Sequence, residues 1–163
     1  MGATLILEYK PFAMKFYAIL AIFFLFSGNC AFSQKHNGTE QVQQVIVSFF
    51  DALAKGETAK MSSYCTMDFL LLENGEQWNT DTLVRKISSP RPSDYYRTNQ
   101  FFFFNSRFSL KQATLHYLNT AFIKSNGKQL KIEWLESAGL LKIHGNWKLQ
   151  WMHSTLKSKI EIH

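Results

Sequence analysis

Between Gln100 and Leu156 the chain alternates long apolar-rich segments with short turn signals, and this pattern limits the possible folds more than any other feature. The segments run over 100–108, 111–124, 129–143 and 147–156. Breaks fall at Ser109, at Ser125-Asn126-Gly127-Lys128 and at His144-Gly145-Asn146. Asparagine and glycine tolerate positive φ, which tight two-residue connections require, so the segments predict a long antiparallel meander. Such a sheet needs a partner for its apolar face, and the chain ahead of it supplies helices.

Val42, Val45, Ile46, Phe49, Phe50 and Leu53 recur at spacings of three and four, which places them on one helical face. Lys55-Gly56 closes that helix, Gly56 being free to enter the left-handed region. A second short helix is expected over Glu57 to Tyr64 and a strand over Met67 to Leu72. Asn74-Gly75 should turn this strand back through Gln77-Trp78. Asn79 or Thr80 can cap a third helix carrying Leu83, Val84 and Ile87, stopped by Ser88-Ser-Pro-Arg-Pro. The expected fold class is α+β, with three N-terminal helices packed on a strongly curved antiparallel or mixed sheet that forms a cone.

The first residues read differently. Phe16 to Phe26 is an unbroken apolar run behind Lys15 and ahead of Ser27-Gly28-Asn29. Its roughly eleven residues are too few to span a bilayer but suit the core of a secretory signal. Ala31-Phe32-Ser33 sets a cleavage site before Gln34, so residues 1–33 are expected to be removed, whether translation begins at Met1 or at Met14. The mature protein is then exported, with no stable membrane span. Lipid anchoring at Cys30 is disfavoured because Asn29 fits poorly just before a lipidated cysteine. Residues 34–39 read as a polar lead-in, 40–157 as one domain and 158–163 as a tail. About 130 residues are enough for one core.

Composition excludes several classes of function. The net charge is +6, but the lysines fall singly near turns or on strands and form no basic stripe, so no nucleic-acid partner is expected. Once the leader is removed Cys65 stands alone, which rules out an internal disulfide. The histidines are scattered without ligand spacing, and there is no glycine-rich phosphate loop and no nucleophile elbow. Neither a metal nor a cofactor is expected.

The order helix, helix, hairpin Asp68-Phe-Leu-Leu-Leu-Glu-Asn-Gly-Glu-Gln-Trp78, helix and meander, closing on Trp134-Leu-Glu-Ser-Ala138 and Trp147-Lys-Leu-Gln-Trp-Met-His-Ser-Thr155, resembles the SnoaL-like branch of the nuclear transport factor 2-like superfamily. The likeness covers roughly residues 40–157. It implies a cone-shaped pocket and frequent homodimers but no single activity, since ketosteroid isomerases, polyketide cyclases and dehydratases share the fold with non-catalytic proteins. The isomerases use a tyrosine on the first helix, where this chain offers Phe49 and Phe50, so isomerase chemistry is disfavoured. Asp68 matches an often acidic position of the branch.

Strand alternation sorts the remaining candidates. Trp147, Leu149, Trp151, His153 and Thr155 share one face of the last strand, against Lys148, Gln150, Met152 and Ser154. The first, largely apolar set is expected inside the cone. Trp134, Glu136 and Ala138 share a face of the preceding strand, so Glu136 is expected inside as well and could pair with His153 as an acid and base. The expected function is binding of a small apolar or aromatic molecule, with Trp78, Tyr117, Trp134 and Trp151 as pocket walls. The alternatives are a lyase, cyclase or isomerase using His153 with Glu136 or Asp68, and a non-catalytic dimerisation module. Phe101 to Phe104 suits a strand buried on both faces or one with a face at a dimer interface.

Overall fold

A computed structural model of the chain describes residues 38–162. The expected leader, its cleavage point before Gln34, Cys30 and most of the lead-in lie outside the described residues. Among the described residues three helices come first: α1 (Gly38–Lys55), α2 (Thr58–Ser63) and, after a hairpin, α3 (Thr80–Ile87). The strands are β1 (Cys65–Glu73), β2 (Glu76–Trp78), β3 (Tyr96–Phe108), β4 (Gln112–Ser125), β5 (Lys128–Ile143) and β6 (Asn146–Ile162). Several boundaries differ from expectation, β1 starting at Cys65 and β3 at Tyr96 where Met67 and Gln100 were expected. Gly38 and Thr39 already belong to α1, and the residues expected as a tail continue β6 to Ile162 because β5 pairs with them as far as Gln129↔Ile162. Among the described residues no helix is long and apolar enough to cross a membrane.

The six strands form one sheet in the order β2-β1-β6-β5-β4-β3. All neighbours are antiparallel except β1 and β6, which run parallel. The hairpin turns at Asn74-Gly75, Asn126-Gly127 and His144-Gly145 each place two successive residues at positive φ, the mirror-image turn that matches the twist of the strands it joins. Asp94 secures the second of these turns by accepting from the backbone N–H of Asn126 (2.9 Å) and of Gly127 (2.8 Å), and these bonds hold its carboxyl below the usual range.

Bulges break the ladders between Phe103 and Asn105, between Glu133 and Trp134, and between Gly139 and Leu140. A bulge bends its strand and raises the local twist, which curls the sheet around α1. α1 lies on the concave side and buries Val42, Ile46, Phe49, Phe50 and Leu53. Its last carbonyls, orphaned by the end of the helix, receive the Arg91 guanidinium at Ala54 (2.5 Å) and Leu53 (2.9 Å). Phe49 meets Phe50 edge-on at 5.3 Å and Phe69 at 6.1 Å, and Phe50 reaches Phe101 at 5.4 Å, so one aromatic seam joins helix to sheet.

The phenylalanine run is split by alternation. Phe101 and Phe103 point inward onto Tyr117, whereas Phe102 and Phe104 stand on the convex face, 65% and 52% exposed. The strand is therefore not buried on both faces.

Candidate functional site

A cavity of about 210 Å³ remains between α1, α3 and the concave sheet. Its apolar walls include Phe49 and Phe50 from α1, Leu83 from α3, and the rings of Trp78 and Trp134. Lys86 stands at 4.1 Å over the Trp78 ring, whose Nε1 donates to Glu76 at 2.6 Å, so that indole is held in place from both sides. Among these walls open five polar or charged side chains: Glu73 of β1, Lys86 of α3, Arg97 of β3, Asn119 of β4 and Glu136 of β5.

Glu136 is the most enclosed of them, at 4% exposure. Its cross-strand partners are Tyr117 on β4 and Ser154 on β6. Ser154 Oγ donates to one carboxylate oxygen at 3.1 Å, and Asn119 Nδ2 donates to the other at 3.3 Å. Burial raises the Glu136 pKa to about 7, and the hydrogen bonds from Ser154 and Asn119, with the neighbouring Tyr117 hydroxyl, oppose that rise without cancelling it. The Tyr117 hydroxyl faces the same carboxylate but has no hydrogen-bond partner of ordinary geometry. Burial, then the carboxylate charge, lifts its pKa well above the usual phenol range.

The hydrogen bonds continue to the sheet edge. Asn99 Nδ2 donates to Asn119 Oδ1 at 2.7 Å, and Arg97 Nε donates to Asn99 Oδ1 at 3.0 Å. A line therefore runs Arg97, Asn99, Asn119, Glu136, Ser154 across four strands. The Arg97 guanidinium lies 5.7 Å from the Trp134 ring. Burial lowers its pKa, against Tyr95, which also takes a hydrogen bond from it, and the charges of Glu136 and Glu73. Burial likewise raises the pKa of Glu73, while Arg97 and Lys86 pull it down.

The residues singled out from the sequence are distributed unevenly over this site. Glu136, Trp78 and Trp134 line the cavity, and Tyr117 is buried behind Glu136. His153 and Trp151 do not face it, contrary to the alternation expected for β6. Leu149 pairs with Leu140 and Trp151 with Gly139, so Gln150 is an extra residue that reverses the alternation. Met152 and Ser154 turn inward, while Trp151 and His153 turn outward. The expected Glu136–His153 pair does not form, and Ser154 takes that place. His153 instead lines a separate groove of about 410 Å³ beside the β1–β2 turn. Asp68 is also outside, accepting from Gln150 Nε2 at 3.1 Å.

Arg97, Asn99, Asn119, Ser154 and Glu73 were not anticipated. Asn119 had a legible signal, as the polar member of the face that carries Leu115, Tyr117 and Ala121. Arg97 shares the face of Phe101 and Phe103, but it lies ahead of the segment recognisable as strand. Chemically, Glu136 is an enclosed group able to exchange a proton near neutral pH with a molecule in the cavity. Burial pushes the Cys65 thiol up to about 12, which leaves it a weak nucleophile.

No family model matches the sequence, and no curated protein does. Solved structures do match. The CamKII hub homology domain of Chlamydamonas reinhardtii superposes with a TM-score of 0.68 at 19% identity, over 75% of this chain and 100% of that one. An NTF2-like protein of unknown function from Prochlorococcus marinus gives 0.63 at 16% identity, over 75% and 94%. The fold is nuclear transport factor 2-like. A putative scytalone dehydratase from Novosphingobium aromaticivorans shares this nuclear transport factor 2-like fold, with a TM-score of 0.61 at 11% identity over 77% and 87%. At these identities the likeness concerns the fold, and any chemistry must be argued from this chain's own cavity.

Proposed function

We propose that this is an exported protein that binds a small, mostly apolar or aromatic molecule inside the cone. The observation that carries the reading is the cavity between Trp78 and Trp134, apolar on its walls and supplied with a few converging polar groups, which is the usual make-up of a small-molecule site. The apolar run at 16–26 supports export. Native mass spectrometry of the protein recovered after export tests both parts. The expected result is a mature chain beginning at Gln34 that carries a bound small molecule, which is lost on substituting Trp134→Ala. A chain that keeps its leader would remove the export reading. Binding unaffected by Trp134→Ala would remove the cone as the site.

The convex face favours self-association as well. Phe102, Leu118 and Leu135 occupy one register row across β3, β4 and β5, and Phe102 and Leu135 are 65% and 51% exposed, with Phe104 beside them. A contiguous apolar patch on a sheet face is a common protein contact surface. The protein is expected to sediment as a dimer at micromolar concentration, and the pair Phe102→Lys with Leu135→Lys to sediment as a folded monomer. A wild-type monomer at that concentration would count against the homodimer.

A further inference from the structure

Arg97 poses a problem that the apolar-ligand reading leaves unsolved. A guanidinium carries five N–H donors in a planar fork and does not lose its charge, so when enclosed it needs an anion or a full set of acceptors. Here Nε donates to Asn99 and the Tyr95 hydroxyl also takes a hydrogen bond from the guanidinium, and neither partner is a carboxylate. Among the described residues no carboxylate lies within ion-pair distance of Arg97, although Glu73 and Glu136 are close enough to act on it electrostatically. Its fork borders the cavity beside the Trp134 ring. The nearest acids are themselves disfavoured as anions by their burial, so neither supplies a firm counter-charge.

We propose that the cone's ligand is a small monocarboxylate with a flat apolar body, its carboxylate held by the Arg97 guanidinium and its body between Trp78 and Trp134. This rests on the small-molecule reading and narrows it. Three features fit a carboxylate. The fork geometry of a guanidinium matches the two oxygens of a planar carboxylate. The cavity of about 210 Å³ is the liquid volume of about seven waters, which suits a compact ligand. A single charge is also favoured over a phosphate dianion, because Glu73 and Glu136 border the same space and a second negative charge would meet them.

The pH dependence follows from the groups that face Glu136. These are Glu73 from β1, Arg97 from β3, Tyr117 and Asn119 from β4, Ser154 from β6 and, across the cavity, Lys86 from α3, while α1 presents only Phe49, Phe50 and Leu53. An incoming carboxylate is repelled by ionised Glu136 and can accept a hydrogen bond from it when it is protonated. Affinity should therefore be highest below pH 7 and weaken as the pH rises through that value.

The probes are benzoate, its neutral isostere benzamide, and toluene, titrated calorimetrically into the folded full-length protein at pH 6. Benzoate is expected to bind about 10- to 100-fold more tightly than benzamide, the range spanned by hydrogen bonds to a charged group. Arg97→Met should erase that preference and Arg97→Lys should retain part of it, with circular dichroism confirming that both variants fold. Equal affinities for benzoate and benzamide, or a preference that survives Arg97→Met, would overturn the carboxylate inference. Binding of toluene alone would also overturn it while leaving the apolar-pocket reading intact. Binding of none of the three would remove both.

Discussion

Substituting Glu136→Gln is expected to make the protein more stable at pH 8 and slightly less stable at pH 4.5. The carboxyl is 4% exposed, and its pKa stands at about 7 in the fold against an ordinary value of 4.5. Below pH 4.5 the group is protonated in both the folded and unfolded states, so it carries no penalty. Between pH 4.5 and 7 the unfolded chain ionises while the folded one holds its proton, and stability falls by about 1.4 kcal/mol per pH unit. Above pH 7 both states are ionised and the loss is complete, at about 3 kcal/mol. Glutamine escapes that loss but presents an amide donor where Ser154 and Asn119 also donate, a mismatch costing about 1 kcal/mol. The net expectation is a gain of about 2 kcal/mol at pH 8 and a loss of about 1 kcal/mol at pH 4.5. Urea midpoints of both proteins across this range would show it, because every other titrating group cancels in the difference. A difference that stays flat with pH would mean that Glu136 ionises normally in the fold.

A group held at such a cost suggests a use outside stability, since functional sites are where folds accept buried, imperfectly paired charge. Glu136 is buried and Arg97 half-buried, both border the cavity and they are joined through Asn99 and Asn119, yet they form no ion pair. Had stability alone been served, a direct contact or an apolar pair would have been the simpler solution.

How much of this was legible depends on where the bulges fall. The inward orientation of Glu136 could be read because the stretch from Trp134 to Gly139 lies between two bulges and alternates without interruption. The placement of His153 could not be read. Trp147 and Leu149 point inward as their pattern requires, but Gln150 intervenes before Trp151, and nothing in Leu-Gln-Trp marks an extra residue. One uncounted residue transfers every later side chain to the other face, so Ser154 took the place expected for His153. The helices were more secure because several apolar positions define each face redundantly. The hydrogen-bond line from Arg97 to Ser154 crosses strands far apart in sequence, and only their register brings those residues together.

The same bulge yields the sharpest packing prediction, because it sets Trp151 over Gly139. The two residues are cross-strand partners, and a Cβ built on Gly139 would sit 2.1 Å from the indole Nε1 and 2.4 Å from Cε2. Gly139 has no positive φ, so it is space for the ring, not backbone freedom, that this position requires. Gly139→Ala must therefore drive the indole off its seat, at an expected cost of about 1–3 kcal/mol. In a Trp151→Ala background the obstruction is gone, and the same change should stabilise by about 0.5 kcal/mol, since glycine inside a strand is otherwise unfavourable. The sign of the effect thus reverses between backgrounds, giving a coupling of about 2 kcal/mol in a double-mutant cycle. Ligand affinity should not change, because Trp151 lies on the convex side, away from the cavity. Equal cost in both backgrounds would show that the indole does not rest on Gly139. Weakened ligand binding would return Trp151 to the pocket wall and require β6 to run without its bulge.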